Sequence, residues 1–359
     1  MKINYRLIIV ITVLVVSMTA CNKDDSNPID PTDPTASIFE PIEPEIAVSE
    51  IYVTGYQSRK PKYWKNGIVT NLTSNTDGHA TSIKVVGNDV YVAGWEDILG
   101  GRKLQYWKNG VSTQLIIGDV SNSLTGAIVV NGNDVYVSGA VPNSVGTKVG
   151  KLWKNGVSTD LSDGTTGHHT NTNGIVVVGN DVYVAGSEFN GSRNVAKYWK
   201  NGVAVPLTDG TKSAAAYGIT VVNNVVYVVG FEGMTTDGGS KTIAKYWRNG
   251  VAVPLTDGTS HNFATGIAVS GENVYVVGYR RNEVNGQNMG NTAVFWRNGK
   301  MADLTDKTKK SIANGIALSG GSVYIAGTED NFVTYWKNGV ATHLGEQDGS
   351  SDGLAIFLK

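Results

Sequence analysis

The sequence predicts an all-β fold, a seven-bladed β-propeller with four antiparallel strands per blade, and three observations predict it. An aromatic residue or Leu followed by Trp-Lys/Arg-Asn-Gly recurs seven times, at Trp64, Trp107, Trp153, Trp199, Trp247, Trp296 and Trp336. A run of the form Val/Ile-Tyr-Val/Ile-x-Gly, with its Tyr at positions 52, 91, 136, 183, 227, 275 and 324, precedes each of them. The period is 40 to 49 residues with four short β-type runs per copy, which is the signature of propeller blades.

The spacing assigns the elements, here called strands A to D from the axis outward. From each Trp to the Leu that follows it (72, 115, 161, 207, 255, 304, 344) the distance is eight in all seven copies, so strands C and D form a rigid hairpin. From the position that opens a hydrophobic run, a Gly in Gly174-Ile175-Val176-Val177 and Ser82 in the second copy, to the next Tyr it is nine in five of six copies, which gives the A–B hairpin. The Tyr-to-Trp gap instead runs from 12 to 21 and the Leu-to-Gly gap from 9 to 13, so the B–C and D–A connections are loops. Strand runs rich in Val, Ile and Tyr, bounded by Gly, Asn and Asp, fit this assignment. The C–D connection is Asn-Gly in every copy, the pair suited to a two-residue type I′ turn. The first copy lacks strand A and the chain ends on an unpaired A-type run, Gly353 to Phe357, so the termini complete one blade and remove two open edges. One large aromatic at the same strand position in every blade is what stacked sheets need, so the repeated Trp and Tyr are expected in the core between blades.

Residues 1–20 read as a signal peptide: Lys2 and Arg6, an apolar stretch from Leu7 to Val16, then Ser17-Met18-Thr19-Ala20 before Cys21. That stretch is too short to span a bilayer. Cys21 is the only cysteine, so an intramolecular disulfide is impossible. Residues 21–45 carry five of the nine prolines among Asp, Glu, Ser and Thr and are expected to be a disordered tether, reaching on the order of 70 Å in polyproline geometry. Residues 46–359 make up the propeller. Formal net charge is −1, yet without residues 1–50 the chain holds 27 bases and 23 acids. Much of that excess is one hairpin cation per blade (Lys65, Lys108, Lys154, Lys200, Arg248, Arg297, Lys337), which suggests a basic hairpin face turned to an anionic membrane.

The small residues before Cys21 and the Lys23-Asp24-Asp25 triplet after it resemble the lipobox and surface-export signal of Bacteroidota lipoproteins, with Met18 in place of the usual Leu. The resemblance covers about 25 residues. It implies a lipid on Cys21, an outer-membrane, cell-surface location and a partner that is an extracellular glycan or protein. A monomer is expected, and nucleic acid is excluded by compartment and modest charge.

A site is expected on the variable loops of the outward face, opposite the hairpins. Candidate ligand-binding residues after the strand-B glycines are Tyr56, Trp95, Phe231 and Tyr279, with Glu96, Glu188, Glu232 and Glu329 one position later and Arg280 as a cationic alternative. Aromatic platforms beside carboxylates suit a sugar. Four of five histidines (His79, His168, His169, His261) fall in D–A loops near Asp-Gly turns, with no metal-ligand spacing. No cofactor or metal is expected; calcium in the Asp loops is the variant reading. Residues 349–353 match G-x-S-x-G outside any strand-turn-helix context, and no zincin, phosphate-loop or dinucleotide motif is present. The expected function is therefore non-enzymatic binding. The alternative is a polysaccharide-degrading enzyme, a glycosidase or lyase, with paired glutamates across the central funnel.

Overall fold

The computed structural model describes residues 38–39, 47–73, 75–118, 124–236, 239–284 and 287–359, which form seven four-stranded antiparallel sheets. The signal peptide and Cys21 lie outside the described residues, as does all of the tether except Ile38 and Phe39. Blade 1 runs from strand A to D as Asp352–Leu358, Ile51–Gln57, Lys60–Lys65 and Ile68–Asn71, so the C-terminal strand closes the ring as expected. Blade 2 is Gly78–Val86, Asp89–Ile98, Gly101–Lys108 and Val111–Gly118, and blade 3 is Leu124–Asn131, Asp134–Pro142, Lys148–Lys154 and Val157–Asp160. Blade 4 is Thr170–Val178, Asp181–Phe189, Asn194–Lys200 and Val203–Pro206, and blade 5 is Ala214–Val222, Val225–Thr236, Gly239–Arg248 and Val251–Pro254. Blade 6 is Asn262–Ser270, Asn273–Val284, Gln287–Arg297 and Lys300–Asp303, and blade 7 is Ser311–Ser319, Ser322–Glu329, Phe332–Lys337 and Val340–Leu344.

Every strand A carries a β-bulge. Thr81, Asn173, Tyr217, Thr265, Asn314 and Leu354 each stand unpaired where the facing strand B continues without a gap. A bulge bends a strand and increases its twist, as an innermost strand needs. It also drives the carbonyl two positions earlier against strand B. A Cβ on Gly230 would lie 1.9 Å from the Ala215 oxygen, and Gly55, Gly94, Gly186, Gly278 and Gly327 would meet the equivalent oxygen at 1.8 to 2.2 Å. The last position of the Val-Tyr-Val-x-Gly run therefore has no room for a side chain. Blade 3 explains its odd spacing. Ala127 is in register with Gly174, Gly126 takes the bulge, and the Ala127 N–H donates to Ser138 Oγ at 3.1 Å.

Seven apolar clusters sit at the seven contacts between blades, each combining the strand-B Tyr or the strand-D Leu of one blade with the Trp of the next. One joins Tyr52 and Leu72 of blade 1 to Ile83, Val92 and Trp107 of blade 2; another closes the ring with Leu344 of blade 7 on Val53 and Trp64 of blade 1. None of the seven Trp is more than 2% exposed.

The Asn-Gly hairpins adopt the expected left-handed pair, with φ of 48° to 51° at Asn and 80° to 85° at Gly. Each Asn also braces its blade, because its Oδ1 accepts from the N–H that opens strand B or follows it, at 2.7 to 2.9 Å, tying the C–D turn to the start of that strand. The hairpin cations are equally structural. All seven lie 5.3 to 6.0 Å over the strand-B Tyr ring of their own blade. Lys65, Lys108, Lys154 and Lys200 also pair with Glu50, Asp89, Asp134 and Asp181 at 2.5 to 2.9 Å. Four of the seven hairpin cations are thus neutralised by an acid of their own blade. Phe39 stacks on Phe295 at 5.0 Å and its ring lies against Gly339 of the blade 7 hairpin, so this tether residue sits on the hairpin side.

Two substitutions test these constraints by guanidinium unfolding. Trp107→Ala should cost about 3–5 kcal/mol by opening a cavity between blades 1 and 2. Gly230→Ala should cost about 1–3 kcal/mol through overpacking, although it adds a single methyl group.

Candidate functional site

The bulges decide which side chains surround the outward mouth of the axis. Two residues before each bulge, strand A faces the position just after the strand-B glycine, giving the pairs Asp352 with Tyr56, His79 with Trp95, Asn171 with Ser187, Ala215 with Phe231 and Phe263 with Tyr279. On one side the rings form a continuous stack. Tyr56 lies 3.8 Å from His79 and His79 4.5 Å from Trp95, centroid to centroid, and the Arg102 guanidinium covers the far face of Trp95 at 3.8 Å. Burial, reinforced by Arg102, lowers the His79 pKa to about 4, so the imidazole is neutral at pH 7.

A second aromatic group follows around blades 5 and 6. Tyr217 and Phe231 are 6.0 Å apart, Phe231 meets Phe263 edge-on at 5.1 Å, and Phe263 stacks on Tyr279 at 4.8 Å. Burial pushes the Tyr217 phenol up to about 12. Between the two groups lies a funnel of about 670 Å³, walled by His79, Trp95 and Arg102 on one side and Tyr217 and Phe231 on the other. Blade 4 contributes Asn171, Thr172, Asn173, Ser187 and Asn194. Asn173 Nδ2 donates to the Ala216 carbonyl at 2.7 Å, which fixes the amide, while the buried Thr172 hydroxyl has no partner among the described residues.

The glutamates named from sequence are committed elsewhere. Lysines hold Glu96 (Lys103, 3.1 Å), Glu188 (Lys197, 2.8 Å), Glu232 (Lys245, 2.5 Å) and Glu329 (Lys309, 3.0 Å), and Glu329 also meets His343 at 2.6 Å. None of the four lines the funnel. Arg280 pairs with Asp303 of strand D at 3.0 Å. The loop histidines do not converge. His79 is in the stack, His168 lies near Gly191, His169 Nδ1 accepts from the Lys148 N–H at 3.1 Å, and His261 sits 3.6 Å from Glu283. Among the described residues no three His, Cys, Asp or Glu stand together as metal ligands. The Asp-Gly turn carboxylates of Asp163, Asp209 and Asp257 cap their own turns by accepting from the Thr N–H two residues on, which lowers their pKa values. Ser351, the central Ser of the 349–353 motif, is buried with its hydroxyl unpartnered among the described residues, in the turn that leads into strand A of blade 1.

Asp352 is different. It lies on the closing strand and accepts from Asn314 Nδ2 at 2.9 Å and from the Thr328 hydroxyl, both on blade 7. The residue keeps part of its surface in solvent, but its carboxyl is enclosed, and desolvation raises its pKa to about 7 against these two donors. Neighbouring Tyr56 is raised in turn by burial and by the charges of Asp352 and Asp348.

Sequence spacing singled out Tyr56, Trp95 and Phe231 but missed Asn171, Asn173, Ser187, Asn194, Arg102 and Tyr217. One signal was present: the residue just before the strand-A glycine (Asn173, Tyr217, Thr265, Asn314) varies between copies more than the Ala or Thr before it and the Gly after it.

No family model and no curated protein matches the chain. Solved structures match it by fold alone. A Bacteroides uniformis protein with a provisional 6-phosphogluconolactonase assignment is 11% identical, covering 86% of this chain and 99% of that one, with a TM-score of 0.44. A thermostable family-43 glycoside hydrolase is 10% identical over 65% and 94%, with a TM-score of 0.38. The Pyrococcus horikoshii acylaminoacyl peptidase is 11% identical over 77% of this chain and 48% of that one, with a TM-score of 0.42.

The raised pKa of Asp352 gives a signed prediction. The fold favours the protonated carboxyl, so the stabilisation is complete below the unfolded-state value near 3.8 and is lost as pH rises toward about 7. Asp352→Asn, which keeps an acceptor for Asn314 and Thr328, should raise Tm at pH 8 and flatten the fall in Tm between pH 5 and 8. An unchanged slope would show that the group does not couple to ring closure.

Proposed function

We propose that this chain is a non-enzymatic binding module that seats a glycan in the funnel and is held at the cell surface by a lipid on Cys21. One observation carries the glycan reading: the Tyr217 and Phe231 rings line the same funnel as Asn, Ser and Thr side chains of blade 4. Ring faces of that kind cover the apolar face of a sugar, and fixed amides and hydroxyls match its hydroxyl groups. The walls are rigid because their residues are mounted on strands and cross-stacked, which lowers the ordering cost of binding. The lipid anchor and the surface location rest on the sequence around Cys21.

A two-carboxylate glycosidase is not favoured. It requires two acids flanking the bond to be cleaved, and the four candidate glutamates are neutralised by lysines outside the funnel. Asp352 is a single carboxyl bonded into the ring seam.

The direct test is a glycan array probed with residues 22–359, which retain every described residue. Tyr217→Ala is the cleaner variant because Tyr217 is only partly buried, whereas Trp95 is 6% exposed and belongs to the core between blades 2 and 3. Loss of one stacking platform should weaken binding on the order of tenfold with Tm retained. An array blank in the presence of folded protein would transfer the funnel to a protein ligand.

A further inference from the structure

The groove that adjoins the funnel carries a different chemistry. It encloses about 380 Å³ between the outward loops of blades 4 and 5, and Ser192, Arg193, Asn194, Thr211, Lys212 and Ser213 line it. Asn194 also lines the funnel, so the two spaces share a wall. From these features we infer that the ligand is an anionic glycan, bearing sulfate or carboxylate groups, and that Arg193 and Lys212 are the subsite that reads its charge. This inference rests on the glycan reading of the funnel.

Charge pairing narrows the choice of cations on the outward face. Acids answer Arg59 and Lys60 (Asp77), Arg102 (Asp97), Lys103 (Glu96), Lys241 (Glu283) and Lys309 (Glu329), whereas Lys148, Arg281, Lys307 and Lys310 have no ion pair among the described residues; Arg193 and Lys212 are set apart by lining one groove that shares a wall with the funnel. Among the described residues no carboxylate pairs with Arg193 or Lys212, and both are exposed. Asp209 feels the Lys212 charge but directs its carboxylate to the Thr211 N–H and hydroxyl, at 2.9 and 2.7 Å. The nearby acids Glu188 and Glu232 are held by Lys197 and Lys245.

The loop that presents Arg193 is fixed before any ligand arrives. Asn190 Oδ1 accepts from the N–H groups of Ser192 and Arg193 at 3.0 and 2.8 Å, and the Asn190 N–H donates to the Arg193 carbonyl at 2.9 Å. Among the described residues the guanidinium bonds the adjacent Ser192 carbonyl at 3.0 Å, which leaves its remaining donors open to an anion. Hydroxyls of Ser192 and Ser213 line the same groove as further donors.

The test titrates residues 22–359 with carrageenan oligosaccharides, whose only charges are sulfates, their desulfated counterparts, oligogalacturonate and its methyl ester. The inference predicts binding of at least one charged form, roughly tenfold weaker binding of its neutralised form, and a comparable loss in the R193A/K212A variant with Tm unchanged. Sulfate and carboxylate arms then identify which anion is read. Equal affinity for charged and neutral forms, or wild-type affinity in R193A/K212A, would overturn the anionic subsite. The glycan reading would survive that result provided Tyr217→Ala still weakened binding. No binding to any of the four probes or to the array would remove both.

Discussion

The rest of the structure depends on the bulge in strand A. Seven innermost strands must turn together around one axis, and flat strands cannot do so. One extra residue per strand supplies the bend, and the carbonyl it displaces occupies the space of a strand-B side chain. A glycine is then obligatory on strand B, as the 1.9 Å approach at Gly230 shows. The strand-A glycines answer the same crowding across blades: a Cβ on Gly174 would meet the Tyr217 carbonyl at 2.7 Å. Bulge side chains then link neighbouring blades, with Asn173 reaching the Ala216 carbonyl, Thr265 the Ala313 carbonyl and Asn314 the Gly353 carbonyl. Curvature, glycine placement and axial cross-links are consequences of a single local insertion.

At the opposite end of each strand pair, the Trp-Lys/Arg-Asn-Gly motif combines four functions in four residues. Trp fills the space between blades, the cation covers a Tyr ring, Asn ties the turn to strand B, and Gly supplies the positive φ. Local turn chemistry, packing and electrostatics agree in each copy, and such agreement across levels is what makes a sequence specify one fold. All seven hairpin cations cover a Tyr ring of their own blade, and four of them are also ion-paired there.

Much of the fold was legible in the sequence because its constraints repeat. Each Trp, Tyr, Leu and Asn-Gly meets the same neighbour in every blade, so spacing alone located strands, hairpins and ring closure. The site was legible only in part because its residues occur once. Tyr56, Trp95 and Phe231 stood out as aromatics at a repeated position, and they do lie in the two aromatic groups. His79 was grouped with the loop histidines by position, yet it serves as the middle ring of a stack that joins two blades. The glutamates attracted a catalytic reading because their partners lie on strand C, beyond loops of variable length that hide the pairing. Asn173 and Tyr217 could not be aimed at the axis without the bulge, and spacing shows a bulge only as one more residue in a hairpin.

The same physics explains why variation concentrates at the funnel. A residue at a contact between blades answers to a neighbouring sheet, and changing it opens a cavity or an overlap. Bulge residues Thr81, Asn173 and Tyr217 reach the axial space, whereas a Cβ on Gly126 would meet the Thr172 carbonyl of blade 4 at 2.6 Å. Thr81, Gly126, Asn173, Tyr217, Thr265, Asn314 and Leu354 differ while the Trp and Tyr of the same blades persist. This asymmetry shapes the opening. Gly126 and Ala140 leave blade 3 with little bulk, blade 4 presents amides and hydroxyls, and blades 2 and 5 raise aromatic walls to either side. A symmetric ring thereby gains an off-centre funnel whose polar floor leads, through Asn194, toward the two unpaired cations between blades 4 and 5. Rigidity at the interfaces and freedom at the bulges have the same origin, because a blade locked by its neighbours can vary its axial residues with little effect on the fold.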